Sequence, residues 1–324
     1  MFSARLWTMI SASRRKKTNN RIIFLFGPTA SGKTALTLSH FASGFQIINA
    51  DSVQVYKHLD IASAKPSIEL QKKIKHHLVN ILEPWQQFTV SDFISLADEA
   101  CEKIWAEGDI PLVTGGTAFY FKHFLYGLSS APKSDPEVRE KVQQMLILEG
   151  REALHKMLLK VDEKSEKRIN VNDTYRLTRA LEVYYQTGKP LSYFELPTEV
   201  RAGLNPLIIG LERDKSELDE RIALRVEEMF DMGVIDEMRN LIKMGANPSW
   251  PGMTGIGYSE FLYLMDTGEF TQRKVKDLII LNSRKYAKRQ MTFFRSFDNV
   301  TWVNPEDTSN LDKVLSDYLN TPNT

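Results

Sequence analysis

The sequence predicts an α/β fold, a phosphate-loop core on a parallel sheet with a helical insertion, and three observations predict it. Residues Gly27 to Thr34 read Gly-Pro-Thr-Ala-Ser-Gly-Lys-Thr between the apolar run Ile22 to Phe26 and a helical segment opening near Lys33. Two further apolar runs, Phe45 to Ala50 and Ile110 to Val113, break at polar residues, Asp51-Ser52 and Thr114-Gly115-Gly116-Thr117. From about 133 to 197 the chain is charged and helical in character, with no strand pattern.

Taken in order, Ile22 to Phe26 is a short β-branched and aromatic run, which suits a strand buried on both faces. Gly27, Pro28, Thr29, Ala30, Ser31, Gly32, Lys33 and Thr34 then form a complete phosphate-binding loop. Its glycines permit the tight turn, and the helix behind it directs unsatisfied N–H groups at an anion. Lys33 is placed to hold the terminal phosphates, and Thr34 to offer its hydroxyl to a magnesium ion. Such a loop reports a polyphosphate without saying which compound carries it. Open parallel sheets bind ligands at the carboxyl ends of their strands. The loop, Asp51 and Thr117 are therefore expected to face one crevice.

Ser91 to Ala106 reads as a helix, and Cys101 within it as a core thiol. Ser134-Asp135-Pro136-Glu137 is a helix start, with a polar cap, proline in the first turn and an acid suited to the helix dipole. Gly188-Lys189-Pro190 is a helix stop. Ile208 to Leu211 reads as a returning core strand, with mostly helix after it. The expected organisation is a basic disordered tail over 1–20, a core over 21–132 and 198–324, and a helical insertion over 133–197.

Composition narrows the function classes. A chain of 324 residues with 42% hydrophobic content can bury one large core or two modest ones. One cysteine excludes an internal disulfide framework and a cysteine zinc site, and a reducing, cytoplasmic setting is expected. No apolar stretch approaches the roughly 18 residues of a membrane span. The first twenty residues hold Arg5, Arg14, Arg15, Lys16 and Lys17 with no acid. That faintly resembles a transit peptide, but a disordered tail or a later start at Met9 is the preferred reading. From Arg273 to Arg295 eight Lys or Arg face one acid, Asp277, so this stretch is +7 on a chain of +1, leaving −6 elsewhere. A strongly basic helix on an otherwise mildly acidic chain is a candidate polyanion site.

With these residues assembled, the chain closely resembles the tRNA dimethylallyltransferase family. Beyond the loop the likeness rests on Ala50-Asp51-Ser52-Val53-Gln54-Val55-Tyr56, on Asp60-Ile61 with Ala64-Lys65-Pro66, and on His76-His77-Leu78 with Ile81-Leu82-Glu83-Pro84. It continues in Gly115 to Tyr120, in Asp173 to Val183, in Ile256-Gly257-Tyr258, and in Arg289-Gln290-Met291-Thr292-Phe293-Phe294-Arg295. These motifs span about 21–297. Ala62-Ser63 stands where Gly-Thr is more usual, and a protein of bacterial type, without the zinc-finger extension of eukaryotic relatives, is expected.

The resemblance implies a magnesium-dependent transfer of a dimethylallyl group from its diphosphate to the exocyclic N6 amine of adenosine 37, just 3′ of the tRNA anticodon. The loop would then grip the prenyl diphosphate and not ATP. Asp51 is expected as the base that takes the amine's proton, with Thr117 orienting the amine or a diphosphate oxygen. Lys33 and Arg221 would neutralise the leaving diphosphate. Arg225, one helical turn on, competes with Arg221, and the bland alternative for both is ion pairing with Glu217 or Glu228. The flipped adenine would be read by Asp51, Ser52, Val53, Gln54 and Thr117. Arg139, Tyr175, Arg176, Leu177, Thr178 and Arg179, with Lys288, Arg289, Gln290, Met291, Thr292, Phe293, Phe294 and Arg295, would touch the anticodon stem-loop. Tyr175 and Phe294 could equally be core aromatics, and His76-His77 are read as structural. The expected partners are tRNA and dimethylallyl diphosphate, with no membrane, for a monomer. Two other readings share the loop: a small-molecule kinase, which would need an ATP lid with paired arginines, and a non-catalytic RNA-binding NTPase. The latter is weakened because Leu112-Val113 runs into Thr114-Gly115-Gly116 and not into a magnesium-binding acid.

Overall fold

Six parallel strands in the order β3-β2-β4-β1-β5-β6 set the plan of the chain. The computed structural model describes residues 20–194 and 196–321, so the basic tail read over 1–20 lies, Asn20 apart, outside the described residues. The first half runs β1 (Arg21–Phe26), α1 (Lys33–His40), β2 (Phe45–Asn49), α2 (Ile68–Lys73), β3 (His76–His77), α3 (Val90–Ala106), β4 (Ile110–Gly115) and α4 (Ala118–Tyr126). The helices α5 (Pro136–Glu149), α6 (Arg151–Val161), α7 (Glu163–Glu166) and α8 (Thr174–Thr187) follow. The chain closes with β5 (Asn205–Leu211), α9 (Lys215–Asp231), α10 (Val234–Lys243), α11 (Ser259–Asp266), α12 (Gln272–Phe294), β6 (Thr301–Val303) and α13 (Ser309–Asn320). Among the described residues no helix is long and apolar enough to cross a membrane.

The chain divides into two compact units, 1–125 with 202–324, and 126–201. In the second, Asp135 caps α5 through its side chain and Pro136 stands in the first turn, while Gly188 ends α8 at φ 70°. Its core is Val142, Leu154, Leu158, Ile169, Leu177, Ala180 and Leu181.

In the first unit the side chains of β1 alternate between two cores, as the pleat requires. Ile23 and Leu25 join a mainly aliphatic cluster with Leu36, Phe41, Ile47 and Leu112. Phe24 and Phe26 point to an aromatic layer, where Phe26 stacks on Phe294 with centroids 4.3 Å apart and meets Phe121 edge-on at 5.5 Å. Cys101 is buried on α3. Two strands are not visible in the sequence pattern. β6 adds an edge to a stretch expected to be mostly helix, and β3 is only His76–His77. The histidines pair apart: His76 Nδ1 lies 2.6 Å from the Ile74 carbonyl and His77 Nε2 2.9 Å from Gln46 Oε1.

Strands β2, β4 and β1 are consecutive neighbours, and they end level: Asn49 pairs with Thr114, and Phe26 with Gly115. Neighbouring strands are about 4.8 Å apart, so the segments after Phe26, Asn49 and Gly115 emerge side by side. The contact is close enough to require glycine, since a Cβ on Gly115 would lie 2.3 Å from the Ala50 carbonyl oxygen.

Phe294 is fully buried against Phe26, Phe121 and Phe297, so Phe294→Ala should leave a cavity and cost about 3–5 kcal/mol of stability. The denaturant midpoint is the measurement; an unchanged midpoint would remove Phe294 from the core.

Candidate active site

The phosphate loop sits where β1 turns into α1, with Ala30 at φ 61° and Gly32 at φ 101°. Left-handed backbone at a residue with a Cβ costs free energy, and apolar contact offsets it here, because Ala30 packs on Leu218 and Ile222 of α9 and Ala287 of α12. Side chains from three helices and the β5 end then grip successive loop residues. Lys33 Nζ donates to the carbonyls of Gly27 and Pro28, both at 2.9 Å. Arg213 Nε donates to Ser31 O at 2.9 Å, Arg221 Nε to Ala30 O at 2.9 Å, and Arg225 Nη1 to Thr29 Oγ1 at 3.2 Å. On the other flank Gln290 Oε1 accepts the Thr29 amide at 2.9 Å.

These cations have few acids near them. Arg213 pairs with Glu217 and with Glu306, the latter at 2.9 Å, and no ion pair joins Glu217 to Arg221 among the described residues. Arg225 lies within electrostatic reach of Asp51 and Glu228, while burial pulls its guanidinium below the ordinary arginine range. Lys33 is depressed to about 7 by burial of its ammonium and then by Arg225, with Asp51 opposing. The buried Ser31 Oγ has no hydrogen-bond partner among the described residues. An anion arriving over this loop would relieve both desolvated cations.

The second strand end supplies the acid. Asp51 Oδ1 accepts the amides of Val53 at 2.9 Å and Gln54 at 3.3 Å, a turn that fixes the carboxylate. Its Oδ2 is turned towards Gly116, whose Cβ position would lie 3.6 Å away. At the third end Thr117 Oγ1 accepts the Ser52 amide at 2.9 Å and donates to Ser52 Oγ at 3.2 Å, tying the two ends together. The structure thus brings Lys33, Asp51, Ser52, Thr117, Arg221 and Arg225 to one end of the sheet. Gln54 Nε2 is committed to the carbonyls of Ser63 and Ala64, at 3.0 and 3.2 Å.

That Ser63–Ala64 segment is itself strapped. Glu237 accepts the amides of Asp60, Ile61 and Ala62 and the hydroxyl of the buried Tyr258, whose oxygen accepts the Ser63 amide. Lys65 Nζ reaches Tyr56 O and Asp60 Oδ1 at 2.6 Å and Asn80 Oδ1 at 2.5 Å.

Four residues assigned to RNA by resemblance need correction, because their side chains face inward. Leu177 is wholly buried and Thr178 nearly so, within the core side of α8. Phe294 fills the aromatic layer, and Gln290 is spent on the loop and the Gly116 turn. The side of α8 that stays accessible holds the exposed Tyr175 and Arg176, the latter 3.1 Å from Asp173. Arg179 is directed to Pro132 O and lies 3.6 Å from Glu182. Arg139 is exposed on α5. On α12 the basic stretch divides. Arg273, Lys274, Lys276 and Arg284 pair with Asp277, Glu269, Glu227 and Asp219, and Arg295 lies 3.9 Å from Glu212. Lys288, Arg289 and Thr292 are exposed, Met291 and Phe293 half-buried, and no acid pairs with Lys288 or Arg289 among the described residues. Arg213 was not visible as a site residue in the sequence, although it stands two residues past the end of β5, as Asp51 stands two past the end of β2.

For magnesium the chain offers an exposed hydroxyl, Thr34 in the first turn of α1, and no cluster of three His, Cys, Asp or Glu among the described residues. That donor set fits magnesium held mainly by substrate phosphates and water, which is its usual habit.

The family model described as IPP transferase matches residues 54–297, and the one described as isopentenyl transferase matches 20–82. A tRNA dimethylallyltransferase of Borrelia hermsii is 44% identical over 288 residues, 89% of this chain and 95% of that protein. One of Sulfurihydrogenibium sp. is 41% identical over 303 residues, 92% and 97% of the two chains. The crystal structure of a tRNA isopentenylpyrophosphate transferase from Bacillus halodurans has a TM-score of 0.65 at 32% identity, covering 93% of this chain and 97% of that one. A eukaryotic dimethylallyltransferase has a TM-score of 0.77 at 23% identity over 94% and 80%, a likeness of fold.

The depressed Lys33 sets a pH dependence for anion binding. Below about 7 the ammonium is already charged; above it the free protein holds neutral lysine, and an anion must bring a proton with it. Inorganic pyrophosphate should therefore bind more weakly as pH rises above 7, by up to about tenfold per unit, with proton uptake measurable by titration calorimetry in buffers of differing ionisation enthalpy. Lys33→Met should lose that extra slope. Equal slopes for the two proteins would mean that Lys33 does not titrate on binding.

Proposed function

The chain belongs to the IPP transferase family, that of the tRNA dimethylallyltransferases, and from that premise we propose that its loop holds dimethylallyl diphosphate while Asp51 serves the acceptor adenosine of tRNA. The observation that carries this reading is the meeting of two different tools at one sheet end: a loop flanked by Lys33, Arg221 and Arg225, and a fixed carboxylate one strand-pair away.

In the transfer, the bond between the allylic C1 and the diphosphate oxygen breaks, the bond from C1 to N6 of adenosine 37 forms, and one N6 proton leaves. Allylic diphosphates ionise readily once the leaving charge is neutralised, which is the task of Lys33, Arg221, Arg225 and the loop amides. A magnesium ion, when bound beside Thr34, would share that charge. The purine-conjugated amine is a weak nucleophile and gains from a base that takes its proton as the new bond forms. Asp51 Oδ2 is the oxygen available, since Oδ1 is held by the Val53 and Gln54 amides. Thr117 and Ser52 orient the amine. Diphosphate and N6-isopentenyladenosine are the products.

On this reading the tRNA contacts of the first unit are Lys288 and Arg289 on α12, which have no acid partner among the described residues, and those of the 126–201 unit, taken by itself, are Arg139, Tyr175 and Arg176. A monomer working in the cytoplasm suffices for this chemistry.

Purified protein with unmodified tRNA and radiolabelled dimethylallyl diphosphate should yield labelled tRNA, and ATP should compete poorly for the loop. Asp51→Ala should lower turnover by roughly 10²–10⁴ with little change in tRNA affinity. Near-normal turnover at saturating substrates would take Asp51 out of the mechanism, and tighter binding of ATP than of the prenyl donor would overturn the donor assignment.

Each phosphate contact releases counterions, so tRNA affinity should fall steeply with salt. Lys288→Ala with Arg289→Ala should reduce the log–log slope by about one unit per contact removed and leave prenyl diphosphate binding alone. Equal affinities and slopes for both proteins would return this part of α12 to a solvated surface.

A further inference from the structure

Gln290 is 3% exposed on α12, and its amide is shared between two strand ends. Oε1 accepts the Thr29 amide of the phosphate loop at 2.9 Å, and Nε2 donates to Gly116 O at 2.6 Å. A backbone N–H on one side and a carbonyl on the other leave a single orientation for the side-chain amide. There is no slack around it. A Cβ on Gly116 would lie 2.9 Å from Nε2, and the Tyr286 hydroxyl donates to the same Gly116 oxygen at 3.1 Å. One residue beyond Gly116 stands Thr117, which holds Ser52 and so the turn carrying Asp51.

We propose that Gln290 is a positioning residue for the transfer: it ties the loop that holds the leaving diphosphate to the turn that holds the acceptor side, and so sets the separation between the allylic carbon and the amine. The proposal rests on the transferase reading above, and Gln290 itself touches neither substrate. Holding two reactants in line is worth a large part of a barrier, and a misplacement of about 1 Å can cost about 100-fold in rate. A residue that merely anchored α12 would instead shift stability and both binding steps together.

Gln290→Met keeps a similar volume and removes both hydrogen bonds. Its single-turnover rate should fall on the order of 100-fold, while the dissociation constants of inorganic pyrophosphate and of unmodified tRNA stay near those of the wild type. Gln290→Glu supplies a sharper readout. A protonated carboxyl presents one O–H donor to Gly116 O and one carbonyl oxygen to the Thr29 amide, copying the amide, whereas the carboxylate turns an acceptor on Gly116 O. The ratio of the Gln290→Glu rate to the wild-type rate should therefore climb as pH falls, by up to about tenfold per unit above the carboxyl's pKa. Taking the ratio cancels the titration of groups common to both proteins.

An undiminished single-turnover rate in Gln290→Met, a loss carried wholly by weaker pyrophosphate or tRNA binding, or a pH-independent ratio for Gln290→Glu would overturn the proposal. Should Gln290→Met fail to fold, the pH profile of Gln290→Glu decides alone. A wild-type protein that transfers no prenyl group would sink the transferase reading and this inference with it. Wild-type transfer with unaffected variants would sink the inference only.

Discussion

The phosphate loop is built from carbonyl oxygens turned towards cations, and the rest of the site depends on that arrangement. Lys33, Arg213 and Arg221 each donate to loop carbonyls, and Arg225 to a loop hydroxyl. Of these four, only Arg213 has carboxylates within ion-pair distance among the described residues, so Lys33 and Arg225 are charged groups taken from water without full compensation there. Burying a charge without a partner is costly. The loop carbonyls offset part of that cost, and Asp51, within electrostatic reach of both, offsets more. A diphosphate would complete the compensation, since its charge is multiple and its oxygens suit both the ammonium and the guanidinium forks. The loop is thus organised around negative charge that it does not itself contain.

The sheet decides how near that charge stands to the acid. Had β2 and β1 been separated by more than β4, the carboxylate of Asp51 would act on Lys33 only through bulk water. Instead β2, β4 and β1 are consecutive and end level, and Gly115 lets the β4 end approach the Ala50 carbonyl where any side chain would collide. The same closeness gives Thr117 its hold on Ser52. The nearness of the loop to the Asp51 turn is therefore a property of strand order, and the strap from Glu237 and Tyr258 to Asp60, Ile61, Ala62 and Ser63 holds the segment to which Gln54 of that turn is bonded.

What was legible in the sequence follows from this physics. Strands buried on both faces must be continuous apolar runs, so β1, β2, β4 and the end of β5 can be read directly, and their polar breaks mark the site. The two edge strands cannot. β3 has two residues and β6 three, too short for a pattern, and both exist because a neighbour supplies the hydrogen bonds. Charge was half legible. The +7 of residues 273–295 is a sum along the chain, whereas the acids that cancel its first part, Glu227, Asp219 and Glu269, come from elsewhere in the fold or from just before the helix. Side-chain direction was the least accessible. Gln290 and Phe294 stand among exposed Lys288, Arg289 and Thr292, and helical phase alone, four residues apart on one side, would have turned both inward.

That phase also explains why an uncharged residue can bridge the two turns. A lysine or arginine at 290 would offer no acceptor to the Thr29 amide and would add to the crowded positive charge beside the loop. A carboxylate would neutralise some of that charge but repel Gly116 O and compete with an incoming diphosphate. A serine or threonine is too short to span both partners. The glutamine amide combines reach, an N–H donor at one atom and an acceptor at the other with no charge at any pH, so it joins the turns while leaving the field over the loop to the cations. The cost falls on the helix, which must bury a polar side chain between Ala287 and Phe294. Both of its hydrogen-bonding ends being satisfied keeps that cost small.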